Sequence, residues 1–263
     1  ISNLPWIDIV VKGEGEETLL DVVEAIRGNS SLEGIPGITY RDSDGVHSNP
    51  PRQRIHDLDR LHFPAYDRVD LSKYDKVSII TGRGCPHRCS FCDVAPLWHN
   101  KTQLRSVESV YQELDELRYK FKVKEVHIAD DTFCLNRKRT LEFCRLTRPL
   151  GLKWSCLSRI DTIDEDLLGE MADAGCDAIF FGIESGSEKV LSRIKKTFRI
   201  QEALEKVEVS TRYFSKVVTS FIWGFPFESV DDFRLTLISM ISAWQSGARV
   251  GLKLLSPMPL SEL

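Results

Sequence analysis

From Lys76 onward, short apolar runs alternate with stretches whose apolar residues recur every three or four positions. Compact runs rich in β-branched and aromatic side chains read as strands, and the recurrent stripes read as amphipathic helices. The pattern predicts strands over 76–82, 124–130, 152–158, 177–183, 216–223 and 248–255. After the first of them, Val107, Val110, Leu114, Leu117 and Phe121 form one helical stripe. After the third, Thr162-x-x-Glu165 reads as a capping box and Gly175 as the helix stop. Ser185-x-x-Glu188 repeats the device after the fourth, and the last helix carries Val230, Phe233, Leu237, Ile241 and Trp244 on one face. Runs such as Ala178-Ile179-Phe180-Phe181 are apolar on both faces, as buried parallel strands require. Six strand–helix repeats predict an α/β fold, a parallel sheet with right-handed crossovers curled into an open, partial (β/α)6 barrel.

Before Lys76 the pattern differs. Ile7-Asp8-Ile9-Val10-Val11 reads as a strand, and Leu19, Leu20, Val23 and Ile26 recur at helical spacing until Gly28. Gly37–Tyr40 and Val46–Ser48 flank a turn, which predicts a hairpin, and residues 49–75, rich in proline, aspartate and arginine, read as a linker. Gly13-x-Gly15 between a strand and a helix has the place of a dinucleotide loop. Thr18 stands where the third glycine belongs, and two glutamates would face the phosphate, so this reading is weak.

Composition narrows the classes. At 263 residues and 42% apolar, the chain is long enough for one barrel core. A formal charge of −4 gives no overall pull toward nucleic acid, and no apolar run reaches the roughly 18 residues that span a bilayer. Seven cysteines, an odd number in a chain this long, fit free thiols in the cytoplasm better than a disulfide framework. Opening at Ile1 and stopping at Leu263, the sequence reads as a piece of a longer protein.

The chemistry centres on Gly82-Arg83-Gly84-Cys85-Pro86-His87-Arg88-Cys89-Ser90-Phe91-Cys92, directly after the first strand of the repeats. Three thiolates spaced C-x3-C-x2-C suit three irons of a cubic [4Fe–4S] cluster and leave the fourth iron open to another ligand. A structural zinc is the competing reading, with His87 or His99 as fourth ligand, but no second pair of ligands lies nearby. In parallel barrels function collects at the C-terminal strand ends. Here these ends carry Asp130-Asp131, Arg159 with Asp161, Glu184 within Gly182–Ser187, Gly224 within Gly224–Glu228, and Ser256–Pro259. Asp130 and Asp131 read as helix caps or site groups. Arg159 reads as a fork for a carboxylate or as a surface partner of Asp161. Glu184 can accept from an ammonium or a ribose hydroxyl, Ser185 and Ser187 can cap a helix, and Phe91 can stack on a base or pack inward. Cys134, Cys144, Cys156 and Cys176 read as buried small hydrophobes, Cys156 being nearest the barrel mouth.

With these residues assembled, the sequence from 76 to 263 resembles the radical S-adenosylmethionine (SAM) enzymes. More narrowly it resembles their branch with an N-terminal cobalamin-binding domain, through Asp8–Glu16, Arg105-Ser106-Val107, Asp130-Asp131-x-Phe133, Gly182–Ser187 and Gly224-Phe225-Pro226. The resemblance implies that residues 1–30 are the trailing edge of a Rossmann-like cobalamin domain, 31–75 a hairpin and linker, and 76–263 the partial barrel. It implies Cys85, Cys89 and Cys92 as cluster ligands, and Phe91, Asp131, Arg159, Glu184 and Gly224 as cofactor contacts, with Arg159 and Glu184 at the methionine and ribose end of SAM. It further implies a [4Fe–4S] cluster, SAM and cobalamin as cofactors, and reductive cleavage of SAM to a 5′-deoxyadenosyl radical. A small-molecule or peptide substrate and an electron donor such as flavodoxin or ferredoxin would be the partners. Methylation of an unactivated centre is the expected outcome, a cyclase or oxidoreductase without methyl transfer the alternative, and a zinc-stabilised binding module the competitor from another class. Phe227 departs from the branch, which often has glycine there, and Trp98 and His99 could face cobalamin, substrate or the core.

Overall fold

A computed structural model describes residues 4–263, which form two compact units, 4–62 and Phe63–Leu263. The first three residues of the expected 1–30 segment lie outside the described residues.

In the first unit, β1 (Ile9–Val11) leads to α1 (Glu16–Arg27), then β2 (Ile38–Asp42) and β3 (Gly45–Ser48) form the expected hairpin. β1 pairs antiparallel with β2, Ile9 opposite Tyr40, so the hairpin packs with the first strand inside one unit. Glu14, with its side chain 4% exposed, accepts from the Ile55 N–H at 2.8 Å. Buried Thr18 accepts from Arg52 Nε at 2.7 Å. The carboxylate of Glu14 is thus an internal clamp, which accounts for a glutamate where a phosphate loop would reject one. On α1 the packed positions are Thr18 and Val22, whereas Leu19, Leu20 and Ile26 of the predicted stripe are exposed.

The second unit runs β4 (Val77–Ile79), β5 (Gly82–Arg83), α2 (Val94–Leu97), β6 (Gln103–Leu104), α3 (Val107–Tyr119), β7 (Glu125–Ile128), α4 (Arg137–Thr147) and β8 (Lys153–Ser158). It continues with α5 (Glu165–Asp173), β9 (Cys176–Glu184), α6 (Glu188–Arg193), α7 (Ile200–Tyr213), β10 (Lys216–Trp223), α8 (Val230–Gln245) and β11 (Arg249–Leu254). Six strands form one sheet in the order β11-β10-β9-β8-β7-β4, every neighbouring pair parallel. The order never reverses, so right-handed crossovers place all the helices on one side, as in a partial barrel rather than a doubly wound sheet. All six predicted strands are present. The α3 stripe packs as expected, Val107, Val110, Leu114 and Leu117 being buried.

Local details depart from the sequence reading. Asp164, not Thr162, caps α5, accepting from Leu167 N–H at 2.8 Å. Thr162 sits instead in a preceding 3-10 turn and donates to the Arg159 carbonyl at 2.8 Å. Ser187 caps α6, while Ser185 accepts from the Ser187 N–H at 3.1 Å.

α8 departs most. Val230, Leu237, Ile241 and Trp244 face solvent, and the buried face is Asp232, Thr236, Ser239 and Ala243. The loop after β9 explains the inversion. A Cβ on Gly186 would lie 2.3 Å from the Leu235 carbonyl oxygen, so only small side chains fit between them. Thr236 Oγ1 accepts from the Gly186 N–H at 3.0 Å, and Ser187 Oγ donates to Asp232 at 2.7 Å. A polar, small-residue face satisfies loop amides that an apolar one would bury unpaired.

The Lys189 ammonium at 2.7 Å, with Ser187 and Ser229 donors, holds the Asp232 carboxyl far below the usual carboxylate range. Its contribution is therefore full above the unfolded-state value of about 4 and is lost as pH falls through the lower folded-state value. Asp232→Asn is expected to lower the thermal midpoint by about 2–4 °C at pH 7. Thermal scans from pH 7 to 3 should show that gap closing on acidification; a pH-independent gap would contradict this account.

Candidate active site

β4 delivers the chain to Thr81 and the cysteine loop. Asp130, buried just beyond β7, accepts from Thr81 N–H at 2.6 Å, Thr81 Oγ1 at 2.5 Å and Gly82 N–H at 3.1 Å. Burial pushes its carboxyl up while these donors hold it down. Asp130 thus fastens the loop entry to the next strand end. Asp131 accepts from the Gly84 N–H at 3.1 Å and grips the same loop. Gly84 has φ +85°, and a Cβ there would lie 2.3 Å from the Lys101 carbonyl oxygen and 2.9 Å from Trp98 Cβ, so only glycine fits. Trp98 is accordingly packed against the loop backbone, and His99 is exposed. β5 and β6 pair antiparallel and close the loop base, and Arg105 is anchored by Glu113 and the Ile80 carbonyl.

The three loop cysteines are free and half-buried. Cys85 Sγ lies 3.7 Å from Thr132 Oγ1, and the Cys92 N–H donates to the Cys89 carbonyl at 3.1 Å, closing a turn. Burial, and then the charges of Cys89, Asp93 and Cys85, push the Cys92 thiol up against the Val94 N–H. Three cysteines of one short loop, with Cys89 and Cys85 both acting on Cys92, are soft donors of the kind that ligate iron. His87 Nε2 and Ser90 Oγ, both in the loop, are buried without a hydrogen-bond partner among the described residues. Burial, then Arg159, holds His87 below the usual imidazole range. Among the described residues no three His, Cys, Asp or Glu side chains are placed to hold one metal ion. A structural zinc needs four ligands at about 2–2.3 Å from one point. A cubane spreads its thiolates over separate irons. Three thiols from one short loop are the donor type that ligates iron in a cubane, so the donor set fits a cluster.

Arg159, 6% exposed, turns toward this loop. Its Nε and Nη2 donate to the two Asp161 oxygens at 2.9 and 2.6 Å, and Nη1 donates to Cys89 Sγ at 3.5 Å. Thr197 Oγ1 braces the pair, donating to Asp161 at 2.7 Å. The Arg159–Asp161 pair that the sequence offers as one alternative is present, with Arg159 buried and Asp161 part-exposed, and a protein carboxylate occupies the guanidinium fork.

Glu184, at the end of β9, is buried with φ +75°, a conformation glutamate seldom adopts. The register slips between Ser220 and Phe221 beside it. Lys196 Nζ lies 3.3 Å from Glu184 Oε1 and donates to the Gly182 carbonyl at 2.8 Å, and Ser220 Oγ donates to Glu184 Oε2 at 3.3 Å. Phe91 packs edge-on against Phe225 at 5.9 Å, and Lys196 stands 6.0 Å over its ring. Phe225 stacks on Phe227 at 5.8 Å, with Arg193 over Phe227 at 4.1 Å. Gly224 is exposed at φ +101° with nothing within 4 Å of an added Cβ; its N–H donates to Glu228 Oε2 at 2.9 Å. The structure thus ties Arg159 to the cysteine loop and Phe91 to Lys196 and Glu184, while Asp131 grips the loop backbone and Gly224 stands in the loop carrying Phe225.

Lys196, Asp161 as the clamp that aims Arg159, and Thr197 were missed in the sequence. Lys195-Lys196-Thr197 has the look of a solvated charge run; the signal present was Phe198 directly after it, which anchors the segment in the core. Cys134, Cys144, Cys156 and Cys176 are buried, as read, and burial pushes the Cys144 thiol up to about 12.

A three-thiol loop at the C-terminal mouth of a six-stranded parallel sheet defines an iron–sulfur partial-barrel protein. The family profile of the Radical SAM superfamily matches residues 79–238, and the chain belongs to that superfamily. It is 35% identical over 244 residues to an uncharacterized methyltransferase of Pyrococcus horikoshii, covering 90% of this chain and 53% of that one. It is 28% identical to the anaerobic magnesium-protoporphyrin IX monomethyl ester cyclase of Rubrivivax gelatinosus, covering 100% of this chain and 49% of the other. The fold matches the radical SAM methyltransferase TsrM of Kitasatospora setae, solved with cobalamin and a [4Fe–4S] cluster. That match has a TM-score of 0.82 at 20% identity and covers 97% of this chain and 54% of that one. The chain spans about half the length of these curated relatives.

Proposed function

We propose that this chain is the cluster- and SAM-binding core of a cobalamin-dependent radical SAM methyltransferase. The observation that carries the reading is the loop of Cys85, Cys89 and Cys92, fastened by Asp130 and Asp131 and offering three thiols, the donor type of a cubane. Bound there, the cluster with SAM and cobalamin would supply one-electron reduction, a 5′-deoxyadenosyl radical and a transferable methyl group. The chain's own residues bind, aim and exclude water. Glu184, held by Lys196 and Ser220, offers a fixed carboxylate at the mouth, and Phe91 offers a ring beside it. Asp131 shapes the loop, and Gly224 leaves open space before Phe225. A small-molecule or peptide substrate and a flavodoxin- or ferredoxin-like donor are the partners this reading requires. Free thiols at all seven cysteines support a cytoplasmic setting, and among the described residues no helix is long and apolar enough to cross a membrane.

Cyclisation without methyl transfer is the second reading, favoured by the match to the Rubrivivax cyclase across this whole chain. The full-length protein, reconstituted without oxygen and given methyl-labelled SAM and reductant, separates the two. Label entering a product with release of 5′-deoxyadenosine supports methylation. Release of 5′-deoxyadenosine with no label transferred to any substrate tried supports the cyclase reading, and absence of SAM cleavage contradicts both.

A further inference from the structure

We infer that Arg159 is a positioning residue for the iron–sulfur site, which sets the reduction potential of the cluster through a hydrogen bond to Cys89; the inference rests on Cys89 being a cluster ligand. Nη1 donates to Cys89 Sγ at 3.5 Å, a normal separation for a sulfur acceptor. The other two contacts fix where it points. Nε and Nη2 are clamped by both oxygens of Asp161, and Asp161 is braced in turn by Thr197. The Arg159 side chain is 7% exposed, so water screens the contact less than it would at the surface. A guanidinium bound bidentately has little freedom left, and its third nitrogen is presented to a single sulfur.

Donors to ligand sulfur stabilise the more negative, reduced cluster, and the potential rises. Asp161 cancels most of the net charge of Arg159. What remains is a directed donor and a local dipole with its positive end at Cys89. This division of labour accounts for a feature a SAM-carboxylate role leaves unexplained, namely that a protein carboxylate already fills the fork.

The test is an electron paramagnetic resonance redox titration of the full-length protein and of Arg159→Gln and Arg159→Lys, with iron content and far-ultraviolet circular dichroism as controls. Arg159→Gln is expected to lower the midpoint so that, at the parent midpoint, the ratio of reduced to oxidised cluster falls about tenfold, equivalent to 59 mV for a one-electron couple. Arg159→Lys, which keeps the charge but loses the fork, is expected to shift it the same way by less. Parent-like potentials in a variant with parent-like iron content overturn the inference. Should Arg159→Gln fail to retain iron, Arg159→Lys decides alone: a lowered potential supports the inference and an unchanged one overturns it. A parent protein that assembles no cluster, or one unaffected by Cys89→Ala, overturns the ligand reading beneath it and is told apart by iron content alone.

Discussion

Replacing any one of Cys85, Cys89 or Cys92 with alanine is expected to remove the iron–sulfur cluster and, with it, SAM cleavage. Anaerobically reconstituted parent protein should hold about four irons per chain, and each variant close to none. Outer-shell partners of metal sites cost about 10–100-fold when lost, and a ligand should cost at least the upper end of that range. The four buried cysteines provide the internal control. Cys144 is fully enclosed and its thiol is pushed up to about 12, so it is a protonated core group. Cys144→Ala is expected to lower the thermal midpoint while leaving iron content unchanged. Iron retained in all three loop variants, or lost in Cys144→Ala with its fold intact, would contradict the site described here.

The second large effect is expected at Lys196. Its side chain is 5% exposed and stands beside Glu184, 9% exposed, at 3.3 Å. Removing one partner of a buried ion pair leaves the other charge without compensation and typically costs about 3–5 kcal/mol. Lys196→Met should therefore destabilise the protein by about that much in chemical denaturation. Lys196 also donates to the Gly182 carbonyl, so part of the loss comes from an orphaned backbone acceptor. Combining Lys196→Met with Glu184→Gln should restore part of the stability, because the uncompensated carboxylate is gone. A double variant no more stable than Lys196→Met would show that the ion pair is not the source of the cost.

The parallel sheet was legible in the chain because its signal is dense. Strands buried on both faces are continuous apolar runs, and the cysteine loop follows the first of them at once. The α3 stripe was legible for the same reason, since its partner surface is apolar. α8 was not, because periodicity reports which residues share a face but not which face turns inward. There the buried face had to satisfy the amides of Gly186 and its neighbours, and the close approach of Gly186 to Leu235 admitted only small groups. The pairing of Arg159 with Asp161, two residues apart, was legible only as one of two alternatives. The third partner of Arg159, Cys89, lies 70 residues away, beyond any local pattern. Lys196 was hidden because a lysine in a polar run ordinarily faces water, and only the folded chain brings Glu184, Phe91 and Gly182 around it.

The central claim is that the Cys85–Cys92 loop holds a cluster with an open iron. The most direct measurement is the electron paramagnetic resonance spectrum of the reduced, anaerobically reconstituted protein, recorded with and without SAM. A [4Fe–4S]⁺ signal that changes shape when SAM is added is the predicted result, because an iron without a protein ligand takes one from SAM. A cluster spectrum indifferent to SAM, or a colourless protein carrying one zinc, would contradict it.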